Sequence, residues 1–395
     1  MVNGRVVVKF GGGDLATGEK IRRAAEMVLK SGFKEVVVVV SAMGGTTDNL
    51  INIMSQAGIV NDRDYADIVS MGERTSARIF CSALRALGAD AVYLEPSHDF
   101  WPIITDSNFR DAKPLLEETC ERVKKYIEPL LSSGKIVVVC GFLGRDRDGN
   151  VTTLGRGGSD TTALLLANCL RAEDVILVKE TEGVLSADPK IVPNPRILDR
   201  LDIHDMFTLA HGGAKIIKAE ALKYKLLGQR LRIVSFSSGD LRSQGTEIVG
   251  VFNSNSFKIR SEKGLAAISL LCDVEPDTLS QVFAALSGSR LFGVSTGVGS
   301  ITIFVSASNL RDLAAKLHEL SVVRALSCLS GVGLLEISHP VFVDSPGWVA
   351  KMTNALASKG INIVEVTTSK ATINIFIDES KIEEAVKVVR DALEA

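Results

Sequence analysis

Two solid valine runs bracketing a helical stretch constrain this chain most. Val6-Val7-Val8 and Val36 through Val40 show no alternation of polar and apolar positions, so the strands they form must be buried on both faces. Between them "TGEKIRRAAEMVLKSG" spaces its apolar residues at helical intervals and ends in Gly32, a helix with a C-terminal stop. The pattern continues with a helix at "SARIFCSALRALG", a strand at "ADAVYL" and a helix at "LEETCERVKKYIEPLLSSG". A strand at "KIVVVCGFLG", a helix at "SDTTALLLANCLRA" and a strand at "DVILVKE" follow. Doubly buried strands alternating with helices predict an α/β sandwich around a mostly parallel sheet.

The chain has 395 residues, enough for two or three domains, since single cores stop growing at about 250–300 residues. Polar, Asn- and Ser-rich sequence over 251–262 predicts a linker after a first domain at 1–250. Beyond it the rhythm shortens. "LAAISLLC", "TLSQVFAALSG", "LFGVSTG", "SITIFVS" and "LRDLAAKLHEL" give βαββα, and the plan returns from "GLLEISHP" to "KIEEAVKVVRDALEA". A repeat with a period of about 70 residues predicts two small α+β modules, at 263–332 and 333–395.

A net charge of -2 and 5% aromatic residues argue against nucleic-acid binding, which calls for a basic excess or stacking platforms. No apolar stretch reaches the ~20 residues of a membrane span, and the N-terminus runs into a strand without the apolar core of a signal peptide. The six cysteines are scattered, with no CxxC pair, and are expected as reduced core residues of a cytoplasmic protein.

Glycine-rich segments follow several strands: "KFGGGD" at 9–14, "SAMGGTTDN" at 41–49 and "GFLG" at 141–144, with "TTLGRGGSDTTA" leading into a helix. Ligands of open parallel sheets bind outside the carboxyl ends of the strands. Glycines there bring backbone N–H groups close to phosphate oxygens, and a helix N-terminus favours negative charge. Together with Lys9 and Arg156, these loops predict a polyphosphate ligand. Neither GxxxxGK[ST] nor a dinucleotide fingerprint is present, so the architecture is some other phosphotransferase. His204 and His211 have no second ligand at metal spacing and receive no role.

"KFGG", "VVSAMGGTTD", "SMGER", "TDSNF", "TTLGRGGSDTTA", "DPKIVPNPRILDRL" and "GGAKII" stand in the order found in aspartate kinases of the amino-acid kinase family. The tail, with "DSPGWVAKMTNALASKGINIVEVTTSKATINIFIDE", resembles their paired ACT modules. The resemblance implies a three-layer amino-acid kinase fold followed by two ferredoxin-like ACT modules. It also implies ATP- and Mg²⁺-dependent phosphorylation of the L-aspartate side-chain carboxylate to 4-phospho-L-aspartate, the first step toward lysine, threonine and methionine.

By the same resemblance Lys9 bridges donor and acceptor, and Asp160 organises the site. Ser41 and Thr47 hold the acceptor carboxylate, Glu73 the α-ammonium and Arg156, with Ser159 near it, the α-carboxylate. Gly11, Gly12, Gly13, Lys179, Glu180, Gly183, Lys190 and Lys215 border the nucleotide. Ser345, Pro346 and Gly347 form a turn at an effector site, for lysine or threonine, and the ACT modules imply a homodimer or larger assembly.

The chain also departs from the family. Gly13-Asp14 stands where two hydroxyl residues are usual, Val178-Lys179-Glu180 where Trp-Thr-Asp is, and Leu185 where a tyrosine is. Lys190 replaces an arginine and Arg110 a glycine, while the first module has "DVEPDTL" in place of a Pro-Gly turn. These departures leave a paralogue acting on a hydroxyl, such as homoserine, as an alternative. Asp14 would then be its general base, whereas a carboxylate acceptor needs none. An effector-binding regulator of weak activity is a third reading.

Overall fold

The computed structural model describes residues 2–58, 61–214, 216–252, 257–339, 341–369 and 371–394. It divides into two compact units after Phe252. The first is built on eight strands: β1 (Val2–Phe10), β2 (Phe33–Val40), β3 (Ala91–Leu94), β4 (Ile136–Cys140), β5 (Asp174–Lys179), β6 (Arg200–Asp202), β7 (Arg230–Ser235) and β8 (Thr246–Val249). Their order is β6-β8-β7-β5-β1-β2-β4-β3, and every neighbouring pair is parallel except β7 and β8. Val6–Val8 and Val37–Val40 are wholly buried, as unbroken valine runs require.

The helices are α1 (Gly18–Lys30), α2 (Thr46–Gln56), α3 (Asp62–Ala86), α4 (Leu116–Tyr126), α5 (Gly158–Leu170) and α6 (Ile203–His211). The Thr17 hydroxyl caps α1 by accepting from the Lys20 N–H at 3.2 Å. In α5, residues 158–167 are buried without interruption, so this helix is enclosed on all sides. The single helix expected over 116–134 is two, Leu116–Tyr126 and Glu128–Ser132, because Pro129 cannot continue the first but fits the opening turn of the second.

The cysteines also differ from expectation. Cys120 on α4 and Cys169 on α5 form a disulfide with Cα atoms 4.6 Å apart, so these two are not reduced core residues. Helix packing brings together positions 49 apart in sequence, which spacing alone does not reveal. Cys81, Cys140 and Cys272 are free and buried, and Cys328 is free and exposed.

The second unit carries one antiparallel sheet of six strands: β9 (Lys258–Leu271), β10 (Leu291–Gly297), β11 (Ser300–Ser306), β12 (Ala325–Ser338), β13 (Ile363–Ser369) and β14 (Thr372–Asp378). Their order is β10-β11-β9-β12-β14-β13. Helices α7 (Pro276–Ala285) and α8 (Leu310–His318) follow the first repeat's strands, and α9 (Trp348–Ser358) and α10 (Ile382–Glu394) the second's. Ile268, Leu270 and Val305 pack with Val282 of α7 and Leu313 of α8. Leu335, Ile337 and Ile375 pack with Met352 of α9 and Val389 of α10.

The repeat is present, but its boundaries differ from the sequence reading. Residues 258–262, expected in the linker, pair as strand with Leu334–Ser338, and residues 253–256 lie outside the described ones. The expected module boundary at 332/333 falls inside β12. Each long strand serves both modules: 265–271 of β9 pair with 325–332 of β12, while 258–262 give the second module a fourth strand. Polarity at 258–262 reflects an exposed strand edge rather than absence of structure.

Candidate active site

The carboxyl ends of β1, β2 and β5 meet at the centre of the first sheet. β1 delivers Lys9 there, and its side chain is almost completely buried. The chain then turns through Gly11–Gly13 into a short 3-10 turn at Gly13–Leu15. The room is tight. A Cβ on Gly12 would stand 2.8 Å from the Ala42 carbonyl oxygen, and one on Gly13 would stand 2.7 Å from Oε1 of Glu180.

Asp160 is the focus of the site. It lies in the first turn of α5 behind Gly157, whose φ of +75° leaves no room for a side chain against Lys218. Its carboxylate is directed to lysines rather than serving as a helix cap. Lys9 Nζ is 2.9 Å from Oδ1, and Lys179 Nζ, at the end of β5, is 3.4 Å from Oδ2. Burial works to raise the Asp160 pKa, but Lys179 and Lys9 outweigh it and hold the carboxyl below its usual range. Burial, opposed by Asp160, lowers Lys179 to about 8.

Two other acids sit in dry surroundings where burial outweighs the opposing interactions. Glu73, on α3, is 4% exposed. Its Oε1 accepts from the Ala42 N–H at 3.0 Å, while Oε2 is buried with no partner. Burial raises its pKa to about 7. Glu73 does not pair with Arg74, which turns to the buried Glu95 at 3.3 Å. Asp14 is equally enclosed: Oδ2 accepts from the Gly11 N–H at 2.9 Å, Oδ1 has no partner, and burial raises its pKa to about 6.

Hydroxyls complete the near wall. Ser41 Oγ donates to Ser159 Oγ at 3.0 Å, and Thr47, in the first turn of α2, comes close to Gly72 beside Glu73. Arg156 is exposed on the loop before α5 and has no ion pair among the described residues. Gly183 is buried, and a Cβ there would meet Thr246 Oγ1 at 2.7 Å. Glu180 is exposed and paired with Lys20 at 3.4 Å; Lys190 is exposed on the following loop. Lys215 lies outside the described residues.

A cavity of ≈ 400 Å³ opens beside the ends of β5 and β7, lined by Glu182, Asp199, Ser235, Ser237, Ser238 and Gln244 among others. None of these residues was singled out from the sequence. The serine-rich stretch Ser235-Phe236-Ser237-Ser238, at the end of an apolar strand, was the available signal. A second cavity of ≈ 580 Å³ in the second module is lined by Ser345, Pro346 and Gly347 together with Phe342, Trp348, Thr368 and Ile373. In the first module the corresponding place is taken by Pro276 opening α7. Among the described residues no three His, Cys, Asp or Glu side chains gather as a metal cluster, and no helix is long and apolar enough to cross a membrane.

Such a site, with glycines, lysines and acids at the carboxyl edge of a parallel sheet, defines a phosphotransferase of the kind that residues 4–235 match as the amino acid kinase family; residues 327–391 match an ACT domain. An aspartokinase of Pseudomonas aeruginosa is 32% identical over 418 residues, covering 98% of this chain and 97% of that one. One from Mycolicibacterium smegmatis is 31% identical over 98% of this chain and 95% of its own. The crystal structure of aspartate kinase from Synechocystis superposes with a TM-score of 0.73 at 25% identity, covering 99% of this chain and 70% of that chain. The chain belongs to the amino acid kinase family, in its aspartokinase branch.

Proposed function

We propose that the chain transfers the γ-phosphoryl group of ATP to the side-chain carboxylate of L-aspartate. The observation that carries this reading is Glu73: a buried carboxylate with one satisfied oxygen and one left without a partner, in a chain matched over 98% of its length by aspartokinases. A buried acid of this kind is costly until a cation arrives, and the α-ammonium of an amino acid is such a cation. Exposed Arg156 would take the α-carboxylate as a bidentate fork. Ser41 and Thr47 would hold the side-chain carboxylate, and Ser159, bonded to Ser41, would orient it.

Lys9 would then stand between the acceptor and the phosphoryl group, with Asp160 fixing its ammonium. The Gly11–Gly13 amides would approach the phosphates where a Cβ has no room. Gly183, Glu180, Lys179, Lys190 and Lys215 would border the nucleotide, and the cavity lined by Glu182, Asp199 and Ser235 would take its nucleoside. Mg²⁺ binds through phosphate oxygens, waters and one or two carboxylates, and Asp14, with its unpartnered Oδ1, is a fitting carboxylate to hold it. When bound, the ion would neutralise charge on the donor phosphates.

The acceptor carboxylate is already ionised, so no general base is needed and Asp14 is not assigned that role. The turn at Ser345, Pro346 and Gly347 would bind an amino-acid effector, and the modules would join two copies of the chain. The testing assay supplies ATP, Mg²⁺ and either L-aspartate or L-homoserine, and traps product with hydroxylamine. An acyl phosphate yields a hydroxamate and a phosphate ester does not. ADP without hydroxamate, or no ADP from aspartate, would overturn the reading.

A further inference from the structure

Lys179 replaces a threonine of the family pattern, and its position gives it more to do than border a nucleotide. Across β1 and β5, Lys9 is opposite Leu177 and Phe10 opposite Val178. Side chains alternate along a strand, so Lys179, two residues past Leu177, lies on the same face as Lys9. That face meets the first turn of α5, where Nζ of Lys179 is 3.4 Å from both carboxylate oxygens of Asp160 and Nζ of Lys9 is 2.9 Å from Oδ1. The side chains of Lys9, Lys179 and Asp160 keep only 7%, 20% and 5% of their exposure.

Two ammonium groups therefore share the Asp160 carboxylate in direct ion pairs, while Asp14 acts on both without an ion pair to either among the described residues. The two ammoniums repel each other in this dry site, and an anion lying between them would relieve that repulsion. The other charged groups nearby are Asp14, from the loop after β1, and Glu180, which is exposed and already paired with Lys20. We propose that Lys179 is a second catalytic cation that grips the transferring phosphoryl group beside Lys9, with Asp160 holding both ammoniums in register.

This inference rests on the kinase reading above. In the step, the bond between the γ-phosphorus and the bridging oxygen breaks, its electron pair leaving on ADP, while a carboxylate oxygen of aspartate forms the new bond to phosphorus. No proton moves. Charge builds on the equatorial and bridging oxygens, and Lys179 supplies fixed positive charge there. Burial lowers the Lys179 pKa to about 8, with Asp160 opposing and Lys9 adding to the shift; the rate should then fall as pH rises past that value.

The test compares kcat between pH 6 and 10 for wild type, Lys179→Met and Lys179→Arg, each checked for folding by thermal melting. Lys179→Met should lose roughly 10²–10³ in kcat with the aspartate KM changed less than about threefold. Lys179→Arg should recover at least about a tenth of the wild-type rate and push the alkaline fall to higher pH. A Lys179→Met enzyme within about threefold of wild type, or a fall that stays near pH 8 in a folded variant, would overturn the proposal. If Lys179→Met does not fold, the alkaline limb of Lys179→Arg decides. ATP and AMP titrations read the contact without turnover: the folded variant should lose about tenfold for ATP and nothing for AMP. Failure of wild type with aspartate would sink the kinase reading, while equal losses for ATP and AMP would sink this one.

Discussion

Replacing Glu73 by Gln should stabilise the protein at alkaline pH while disabling it. Glu73 is buried, one of its oxygens is unsatisfied, and its pKa rises from 4.5 to about 7 on folding because burial disfavours the charge. Below pH 4.5 the group is protonated in both states and its burial carries no charge penalty. Between 4.5 and 7 the folded state holds a proton that the unfolded state has released, so stability falls as pH rises through that window. A shift of this size corresponds to about 3 kcal/mol, present in full by pH 8. Glutamine has no proton to lose. Whatever fixed cost its amide brings, the stability difference between Glu73→Gln and wild type should therefore swing by about 3 kcal/mol in the variant's favour between pH 4.5 and 8. For a domain of this size that is a change of about 6–12 °C in the Tm difference. The assay is urea or thermal unfolding of both proteins across the pH range, paired with aspartate kinetics. A Tm difference that stays flat from pH 4.5 to 8 would refute the electrostatic account of Glu73. An unchanged aspartate KM would refute its role at the α-ammonium.

Lys9→Met should reduce the rate at least about 10³-fold, because it removes charge at the transferring group and leaves Asp160 with Lys179 alone; a loss under about tenfold in hydroxamate formation would count against the assignment. Cys169→Ser opens a crosslink across 49 residues and should cost up to about 4 kcal/mol by loop-closure entropy. Urea melts with and without reductant check this: wild type should shift on reduction and the variant should not. In the second module the described lining of the cavity proposed to take an effector is aromatic, aliphatic and hydroxylated. Threonine should therefore inhibit at lower concentration than lysine in the ADP-release assay, and the reverse order would show that the ammonium finds a partner elsewhere.

The sheet was legible because Val6–Val8 and Val36–Val40 leave no face for water, and a strand buried on both sides can only be interior to a layered sandwich. The gathering of Lys9 and Gly11–Gly13 at one strand end was legible because glycines beside a charge at a strand end signal contact with an anion, whereas Asp160, in a helix turn, was picked out by the family resemblance. What escaped depends on contacts distant in sequence. The strand at 258–262 looks like linker because its partner among the described residues lies more than seventy residues on, at Leu334–Ser338. The Cys120–Cys169 bridge needs two helices packed together before either sulfur has a neighbour. Arg74 follows Glu73 directly, yet helical geometry sends the arginine to Glu95, whose burial no local pattern announces. Lys179 could be noticed as an odd residue, but its meaning needs the register that sets it two places beyond the partner of Lys9.

Three carboxylates in this site have been given different characters by their surroundings. Asp160 meets two ammoniums, so its charge is held despite burial. Glu73 meets one backbone N–H and no cation, so its charge is costly until a ligand supplies one. Asp14 lies between them, bonded to the Gly11 N–H with one oxygen free and its pKa near 6. Groups of one chemistry pushed apart in pKa mark divided roles: Asp160 holds two lysines permanently, and in the proposed reading Glu73 would receive the substrate's ammonium. Asp14 follows from the same logic. Lys9 and Lys179 offset its burial only in part, so in the kinase reading proposed above a metal arriving with the donor would complete the compensation at the place where this chain departs from two hydroxyls, Gly13-Asp14.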